Sequence, residues 1–212
     1  MNLLIFGPQG SGKGTQADLL AEKYNLEHIE TGQIFRDIAR EDSPLGKIIF
    51  ELNEKKEMIP DLVTMEVLES YLEKVPQGKG VILDSAPRTV GQIELVNSLM
   101  LKLGRQIDKA IYISLPYDES VARITKRYAC LVCRRHFVLG RDIQSTQDDC
   151  PTCGGPIMQR GDDTPEGIAK RLKVFYEVTI PVVEYYRKQN ILIEVDGNKA
   201  VKNVFEEIIS KF

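Results

Sequence analysis

The sequence predicts an α/β fold, a five-stranded parallel sheet with helices on both faces. Three observations carry that prediction. Short apolar runs at 3–6, 81–84, 110–115 and 191–195, with a shorter segment at 27–30, have strand length. Between them apolar residues recur at helical spacing, and strands alternating with helices imply parallel strands joined by crossover helices. A glycine-rich turn, residues 7–15, separates the first strand from the first helix.

At 212 residues the chain is long enough to bury a sizeable core as one domain with insertions. Its 42% hydrophobic and 28% charged residues are those of an ordinary soluble protein. A net charge of −3 argues against a nucleic-acid protein that relies on a global basic field. No apolar run approaches membrane-spanning length. The first strand begins at Asn2, which leaves no room for a signal peptide, so the expected location is the cytoplasm. The 4 cysteines are then metal ligands rather than disulfide partners.

The turn reads Gly7-Pro8-Gln9-Gly10-Ser11-Gly12-Lys13-Gly14-Thr15, and the following helix carries Ala17, Leu19, Leu20 and Tyr24. Strand, glycine-rich turn, helix is the setting of a phosphate-binding loop. The glycines let several N–H groups point into one concavity at a helix N-terminus, whose partial positive charge favours phosphate. Lys13 adds a full charge for the outer phosphates, and Thr15 offers a hydroxyl to Mg²⁺ or to a phosphate oxygen. The usual pattern has Ser or Thr directly after the lysine; here Gly14 intervenes. An ordinary glycine-rich βα turn is the competing reading, and the flanking elements count against it.

Residues 27–30 read as a second strand and 33–40 as a helix. Thr31 suits a plain N-cap or an anion ligand, roles that can coincide. Arg36, alone, reads as a surface arginine. Amphipathic stretches follow at 45–57 and 61–72, then a turn at 76–80. Asp84 ends the apolar strand 81–84. In a chain with a phosphate loop it suits a carboxylate holding Mg²⁺, directly or through water; a turn or capping aspartate is the alternative. Ser85-Ala86-Pro87-Arg88-Thr89 then leads into a helix carrying Gln92, Ile93, Val96 and Leu99. Arg88, just past a strand end, is placed to meet an anion, since open α/β sheets bind ligands at the carboxyl ends of their strands. After the strand 110–115, residues 118–127 read as a helix ending in Arg123, Lys126 and Arg127. The helix dipole accounts for Lys126 better than for two arginines facing one region. Residues 168–189 read as helical with an interruption at Pro181, 191–195 as the last strand and 201–212 as a closing helix.

Cys130-x-x-Cys133 and Cys150-x-x-Cys153, with residues 134–149 between, have the spacing of a four-thiolate zinc site. The intervening Phe137, Val138 and Ile143 suffice for a small hairpin unit but not for a core, so the metal would supply folding energy. Four thiolates close the coordination shell, which makes the ion structural and leaves His136 no vacancy. Iron can also occupy such a site. The insertion is bordered by Arg123 and Arg127 on one side and by Gln159-Arg160-Gly161-Asp162-Asp163 on the other. It reads as a mobile lid over phosphates better than as a nucleic-acid module. Lys13, Arg36, Arg88, Arg123, Arg127, Arg160 and Arg171 exceed what one triphosphate needs and suit two phosphorylated ligands end to end. A phosphate acceptor is already an anionic nucleophile and needs no general base; positioning and charge neutralisation suffice.

Over essentially its whole length the sequence resembles the adenylate kinases of the long, zinc-lid bacterial type. Residues 7–15 resemble that family's phosphate loop, including the glycine after the lysine. Thr31-Gly32 with Arg36 resembles its AMP-site motif, and Asp84 through Arg88 with Gln92 resembles its Asp-Gly-Phe-Pro-Arg segment. Arg123, Arg127, the cysteines, Gln159-Arg160, Asp162-Asp163 and Lys170-Arg171 resemble its lid and hinge. The resemblance implies the P-loop nucleoside monophosphate kinase fold. Its core would comprise residues 1–29, 60–125 and 164–212, with a moving AMP-binding insertion at 30–59 and a moving zinc-binding lid at 126–163.

The implied reaction is ATP + AMP ⇌ 2 ADP with Mg²⁺ and a structural Zn²⁺, in adenine nucleotide homeostasis and salvage. The implied enzyme is a cytoplasmic monomer with no nucleic-acid or membrane partner. By resemblance Gly10, Ser11, Gly12, Lys13, Gly14 and Thr15 hold the donor phosphates. Arg127, His136, Phe137 and the backbone near Lys199 frame the rest of ATP. Thr31, Arg36, Glu57, Met58, Ile59, Ser85, Ala86, Pro87, Arg88 and Gln92 hold AMP, with Arg160 and Arg171 reaching its phosphate. Lys13, Asp84, Arg88, Arg123, Arg160 and Arg171 form the catalytic set.

Two departures stand out. Ser85-Ala86 replaces the family's Gly-Phe, which leads us to expect weaker or less selective AMP binding. Lys126 stands where the family often has glycine and should stiffen the lid's first hinge. A kinase for UMP, CMP or GMP is the runner-up reading. A zinc-knuckle nucleic-acid binder and a catalytically idle module are the readings from other classes.

Overall fold

The computed structural model describes residues 1–55, 57–161 and 163–212. At its centre β1 (Asn2–Phe6) is buried along its whole length. It is followed by α1 (Lys13–Tyr24), β2 (Glu27–Glu30), α2 (Thr31–Ile38), α3 (Pro44–Glu54), α4 (Asp61–Leu72), β3 (Val81–Asp84), α5 (Val90–Lys102) and β4 (Lys109–Ser114). Then come α6 (Tyr117–Thr125), three short strands β5 (Arg127–Cys130), β6 (His136–Val138) and β7 (Ile157–Gln159), and α7 (Pro165–Val174). The chain closes with α8 (Ile180–Lys188), β8 (Leu192–Asp196) and α9 (Val201–Ile209).

The main sheet has five parallel strands in the order β2-β3-β1-β4-β8. Because both faces are covered, its central strands read as continuous apolar runs rather than as alternating ones. Alternation still decides which side each residue serves. Leu4 and Phe6 of β1 join the core packed under α4, α5 and α8, with Leu68, Ile93 and Val183. Leu3 and Ile5 join the opposite core, with Ala17 and Leu20 of α1 and Val204 and Ile208 of α9. This is the predicted parallel α/β sheet with helices on both faces.

Three local differences have physical causes. The helix expected to reach Arg127 stops at Thr125, and Arg127 instead opens β5. There it pairs with Val138 of β6, so sheet pairing overrides the helical pattern at that end. The expected hairpin between the cysteine pairs is a three-stranded antiparallel sheet in the order β6-β5-β7. The interruption expected at Pro181 is a single π turn, Phe175–Thr179, placed just before it. Proline lacks an N–H and its ring crowds the preceding turn, so it is tolerated in the first turn of α8 while the chain before it widens.

Gly80 sits where β3 enters the sheet beside the first residue of the chain. A Cβ there would lie 1.9 Å from the Met1 carbonyl oxygen and 2.8 Å from Leu26 Cδ2. Gly80→Ala is expected to cost about 2 kcal/mol through overpacking. A lowered urea midpoint would register it, against Gly78→Ala, whose Cβ meets nothing within 4 Å.

Candidate functional site

The glycine-rich loop joins the C-terminal end of β1 to the N-terminus of α1. Gly10 and Gly12 take φ of +82° and +87°, where a Cβ would be strained. Ser11 N–H donates to the Pro8 carbonyl at 3.1 Å and closes the turn. Gly12 caps α1 without a side-chain bond, so the first-turn N–H groups of α1 face the loop. The loop is buttressed from α6: Ser120 Oγ donates to the Gln9 carbonyl. Arg123 donates to the Gly10 carbonyl at 3.3 Å, the Gly197 carbonyl at 2.9 Å and Asn198 Oδ1 at 3.0 Å. The cleft over the loop is lined by Ser11, Thr15, Arg123, Lys199 and also Arg141, which the sequence did not single out. The Lys199 ammonium itself pairs with Glu207 at 2.8 Å, which leaves its backbone for a ligand.

Asp84 ends β3 beside Ile5 of β1 and Glu30 of β2. Asp84 is buried, 1% exposed, and its Oδ2 lies 3.8 Å from where a Gly14 Cβ would be, against the loop. Ser85 Oγ donates to Asp84 Oδ1 at 2.8 Å, and His28 Nε2 lies 3.6 Å from Oδ2. The other His28 ring nitrogen bonds Asp18 Oδ1 at 2.8 Å. Burial alone would raise the Asp84 pKa; the Lys13 charge, His28 and the Ser85 hydroxyl outweigh it and hold it at about 2. Protein atoms crowd the Lys13 ammonium and lower its pKa, while Asp84 and Glu30 pull it back up. An ionised, buried carboxylate beside a phosphate loop fits a hard, oxygen-seeking cation such as Mg²⁺.

Ser85 occupies φ +69°, a conformation that glycine adopts without strain. Its hydroxyl turns to Asp84. Ala86 is fully buried in the larger core, and Pro87 is buried beside it.

At the end of β2, Thr31 is the first residue of α2 rather than its cap; Glu30 is the cap and makes no side-chain bond there. The Thr31 hydroxyl donates instead to the Asp84 and Ser85 carbonyls at 3.1 and 3.2 Å, which the end of β3 brings within reach. Arg36 pairs with Glu30 at 2.9 Å and with Gln33 Oε1 at 2.9 Å. A Cβ on Gly32 would lie 3.4 Å from Arg36 Nη1 and 3.5 Å from Arg88 Nη2, so both guanidiniums converge above that glycine. Arg88 Nε donates to the Ser85 carbonyl at 3.1 Å. Gln92 is buried: Oε1 accepts from Arg88 N–H at 2.7 Å and Nε2 donates to Asp61 Oδ1 at 2.6 Å. It fixes the turn that presents Arg88. Glu57 and Met58 are exposed in the loop after α3, and Ile59 packs partly against the core.

In the lid, Arg127 donates to both Asp163 oxygens at 2.9 and 2.7 Å, and Arg171 donates to Asp163 Oδ1 at 2.6 Å. One buried carboxylate thus ties the lid's first strand to α7. Asp162, named beside it from the sequence, lies outside the described residues. Arg160 donates to His136 Nε2. Phe137, expected to frame the adenine, is buried with Cys130, Ile143 and Cys150 in the lid's own small core, because three short strands supply few other apolar groups.

All four cysteine sulfurs lie within 4.8 Å of one another, with Cys130–Cys153 at 3.6 Å and Cys133–Cys150 at 3.5 Å. These separations are too long for disulfide bonds, and the cysteines are free. Tetrahedral Zn–S bonds of about 2.3 Å put sulfurs roughly 3.8 Å apart, so the cluster fits that ion. Val132 and Cys133 N–H groups donate to Cys130 Sγ at 3.3 and 3.4 Å, the outer bonds a thiolate ligand wants.

The two histidines hold opposite charge states. Burial would lower the His28 pKa, but bonds to Asp18 and the Asp84 charge push it up to about 10. Burial and then the nearby Arg160 and Arg127 charges lower His136 to about 2. Neither ring should titrate between pH 6 and 8 in a ring-carbon NMR titration, with His28 charged and His136 neutral throughout, given pKa values of about 10 and about 2. The stability signs follow. What His28 contributes is full below pH 6.5 and is lost as pH rises through about 10. Below pH 6.5 the unfolded chain takes a proton that folded His136 refuses, so stability falls with pH there. His136→Gln should recover that loss in urea titrations, by up to about 1.4 kcal/mol per pH unit.

A family model described as adenylate kinase matches residues 5–191. The adenylate kinase of Thermoanaerobacter sp. (strain X514) is 38% identical over 208 residues, covering 98% of this chain and 96% of the relative. That of Archaeoglobus fulgidus is also 38% identical, with the same coverage of both chains. That of Syntrophomonas wolfei is 34% identical over 211 residues, 100% of this chain and 98% of the relative. The similarity runs from the phosphate loop through the lid to the closing helix, and the chain belongs to the adenylate kinase family.

Proposed function

We propose that this chain catalyses reversible phosphoryl transfer from Mg-ATP to AMP, giving two ADP, in adenine nucleotide homeostasis and salvage. Membership of the adenylate kinase family carries that reaction. The observation that carries it at the level of residues is a pair of anion seats flanking one buried carboxylate. Lys13 and the glycine loop meet Asp84, and Arg36 and Arg88 converge above Gly32, where Arg88 feels the charge of that same carboxylate.

In this reading the N–H groups of Gly10, Ser11, Gly12, Lys13 and Gly14, with the Thr15 hydroxyl, hold the donor phosphates. Arg127 and His136 of the lid and the backbone near Lys199 complete the ATP side. Arg36 and Arg88 hold the AMP phosphate, Thr31 and Gln92 shape that seat, and the 57–59 loop lies beside it. Arg123, Arg160 and Arg171 offset the charge on the transferring phosphoryl group. Mg²⁺, held through Asp84, would neutralise donor phosphate charge when bound. The AMP phosphate attacks without a general base, because it is already ionised. We further propose that 30–59 and 126–163 close as separate units on the core, so that water is excluded from the acceptor seat. The cysteine cluster would hold a structural Zn²⁺ that knits the lid.

Among the described residues no helix is long and apolar enough to cross a membrane. The four free thiols suit a reducing compartment, and we assign the cytoplasm.

ADP formation should be assayed with Mg-ATP and each of AMP, GMP, CMP and UMP. Turnover with AMP is expected, and Lys13→Met should lower it by about 10² or more. Faster turnover with another monophosphate would reassign the acceptor, with Ser85-Ala86 the first suspects. Restoring Gly and Phe there should then lower the AMP KM. Atomic emission should find zinc at one ion per cysteine cluster. Stripping it with a thiol reagent and chelator should lower the thermal midpoint and abolish turnover while the main sheet stays folded. Iron in its place would overturn the zinc assignment.

A further inference from the structure

A carboxylate sits inside the acceptor's anion seat. Glu30 ends β2 alongside Asp84, and its side chain turns toward Arg36. The Oε1–Nη2 distance is 2.9 Å, with both side chains about one-third exposed, at 30% and 31%. The Cβ position of Gly32 lies 3.9 Å from Glu30 Oε1, as it lies 3.4 and 3.5 Å from the Arg36 and Arg88 guanidiniums. One carboxylate and two guanidiniums therefore share the small volume above one glycine. Lys13 and Arg88 both feel the Glu30 charge, which favours their charged forms.

We infer that Glu30 is an internal rival of the acceptor phosphate: its carboxylate occupies Arg36 in the free protein and must be displaced when a nucleoside monophosphate binds. Geometry makes the rivalry direct. The carboxylate meets Arg36 through the same N–H donors that would hold a phosphate oxygen. Gln33 also accepts from Arg36, at 2.9 and 3.2 Å, so it stays oriented when Glu30 leaves. Once displaced, the carboxylate remains close to the incoming dianion, and like charges repel. Both effects weaken monophosphate binding and leave the donor side untouched. Glu30 acts through Arg36, so it sets acceptor affinity and takes no part in the transfer itself.

This inference rests on the acceptor reading above, and its test separates the two. Calorimetry would measure AMP binding to the wild-type protein and to Glu30→Gln, which keeps shape but removes charge. Initial rates would give KM for AMP and for ATP. The variant should bind AMP about fivefold more tightly, with a matching fall in KM for AMP, as for loss of a partly exposed ion-pair rival. KM for ATP should change by less than about twofold, since uniform effects on the acceptor alone leave the donor constant in place. Glu30→Ala should shift in the same direction and serves if the Gln variant folds poorly.

Unchanged or weaker AMP binding in both variants would overturn the inference and make Glu30 a support for Arg36. If the wild-type protein prefers another monophosphate, the AMP assignment fails, while the same comparison with that monophosphate still decides the role of Glu30. Absence of binding by any monophosphate to either protein would overturn both.

Discussion

Everything in the cleft depends on one buried, ionised carboxylate. Asp84 stands where three parallel strands end, and taking a lone charge out of water would cost several kcal/mol. It stays charged because Lys13, His28 and the Ser85 hydroxyl surround it. Those partners come from the first helix, the second strand and the residue after the third strand. The carboxylate can be charged only if β1, β2 and β3 are in register. The register therefore carries the site: Ile5 and Glu30 both pair with Asp84 across the sheet. An aspartate lodged this way lends negative potential to a cleft whose other walls are basic.

That basic wall is a second constraint. Lys13, Arg36, Arg88, Arg123, Arg127, Arg160 and Arg171 near one another would repel in an empty cleft. Much of that repulsion is relieved by specific acceptors. Asp163 serves Arg127 and Arg171 together. Carbonyls of the phosphate loop and of Gly197, with Glu119, serve Arg123. Glu30 and Gln33 serve Arg36, and the Ser85 carbonyl serves Arg88. His136 accepts from Arg160, which requires the neutral ring that its depressed pKa provides. The acceptors differ in kind. A carbonyl keeps orienting its guanidinium while a phosphate binds, whereas a side-chain carboxylate such as Glu30 competes with that phosphate.

What the sequence revealed follows from range. The strands, the glycine loop and the paired cysteines are local patterns, and each is visible within about ten residues, as strand and turn signals usually are. Gly10 and Gly12 take a positive φ that belongs to the turn itself and needs no distant partner. The placements that escaped depend on contacts distant in sequence. Arg127 belongs to a strand because Val138 pairs with it. Thr31 is not a cap because the Asp84 and Ser85 carbonyls, more than fifty residues on, accept its hydrogen bond. Gln92 is tied to Asp61, on a different helix. Glu30 carried no signal at all, since a glutamate at a strand end is ordinary until its neighbours are known.

Ser85 shows why a departure from a family pattern cannot be read by size alone. Where the family has glycine, the backbone here still takes φ +69°, so the conformation is retained at a cost of about 1 kcal/mol for the added Cβ. The side chain does not crowd the acceptor seat from that position, because its hydroxyl bonds Asp84 at 2.8 Å. A hydrogen bond to a buried carboxylate is worth about 1.5–3 kcal/mol, enough to offset the strain. The substitution thus trades backbone ease for a firmer hold on the central charge. Ser85 faces the carboxylate, whereas Glu30 touches Arg36, so the two positions act on the cleft through separate contacts.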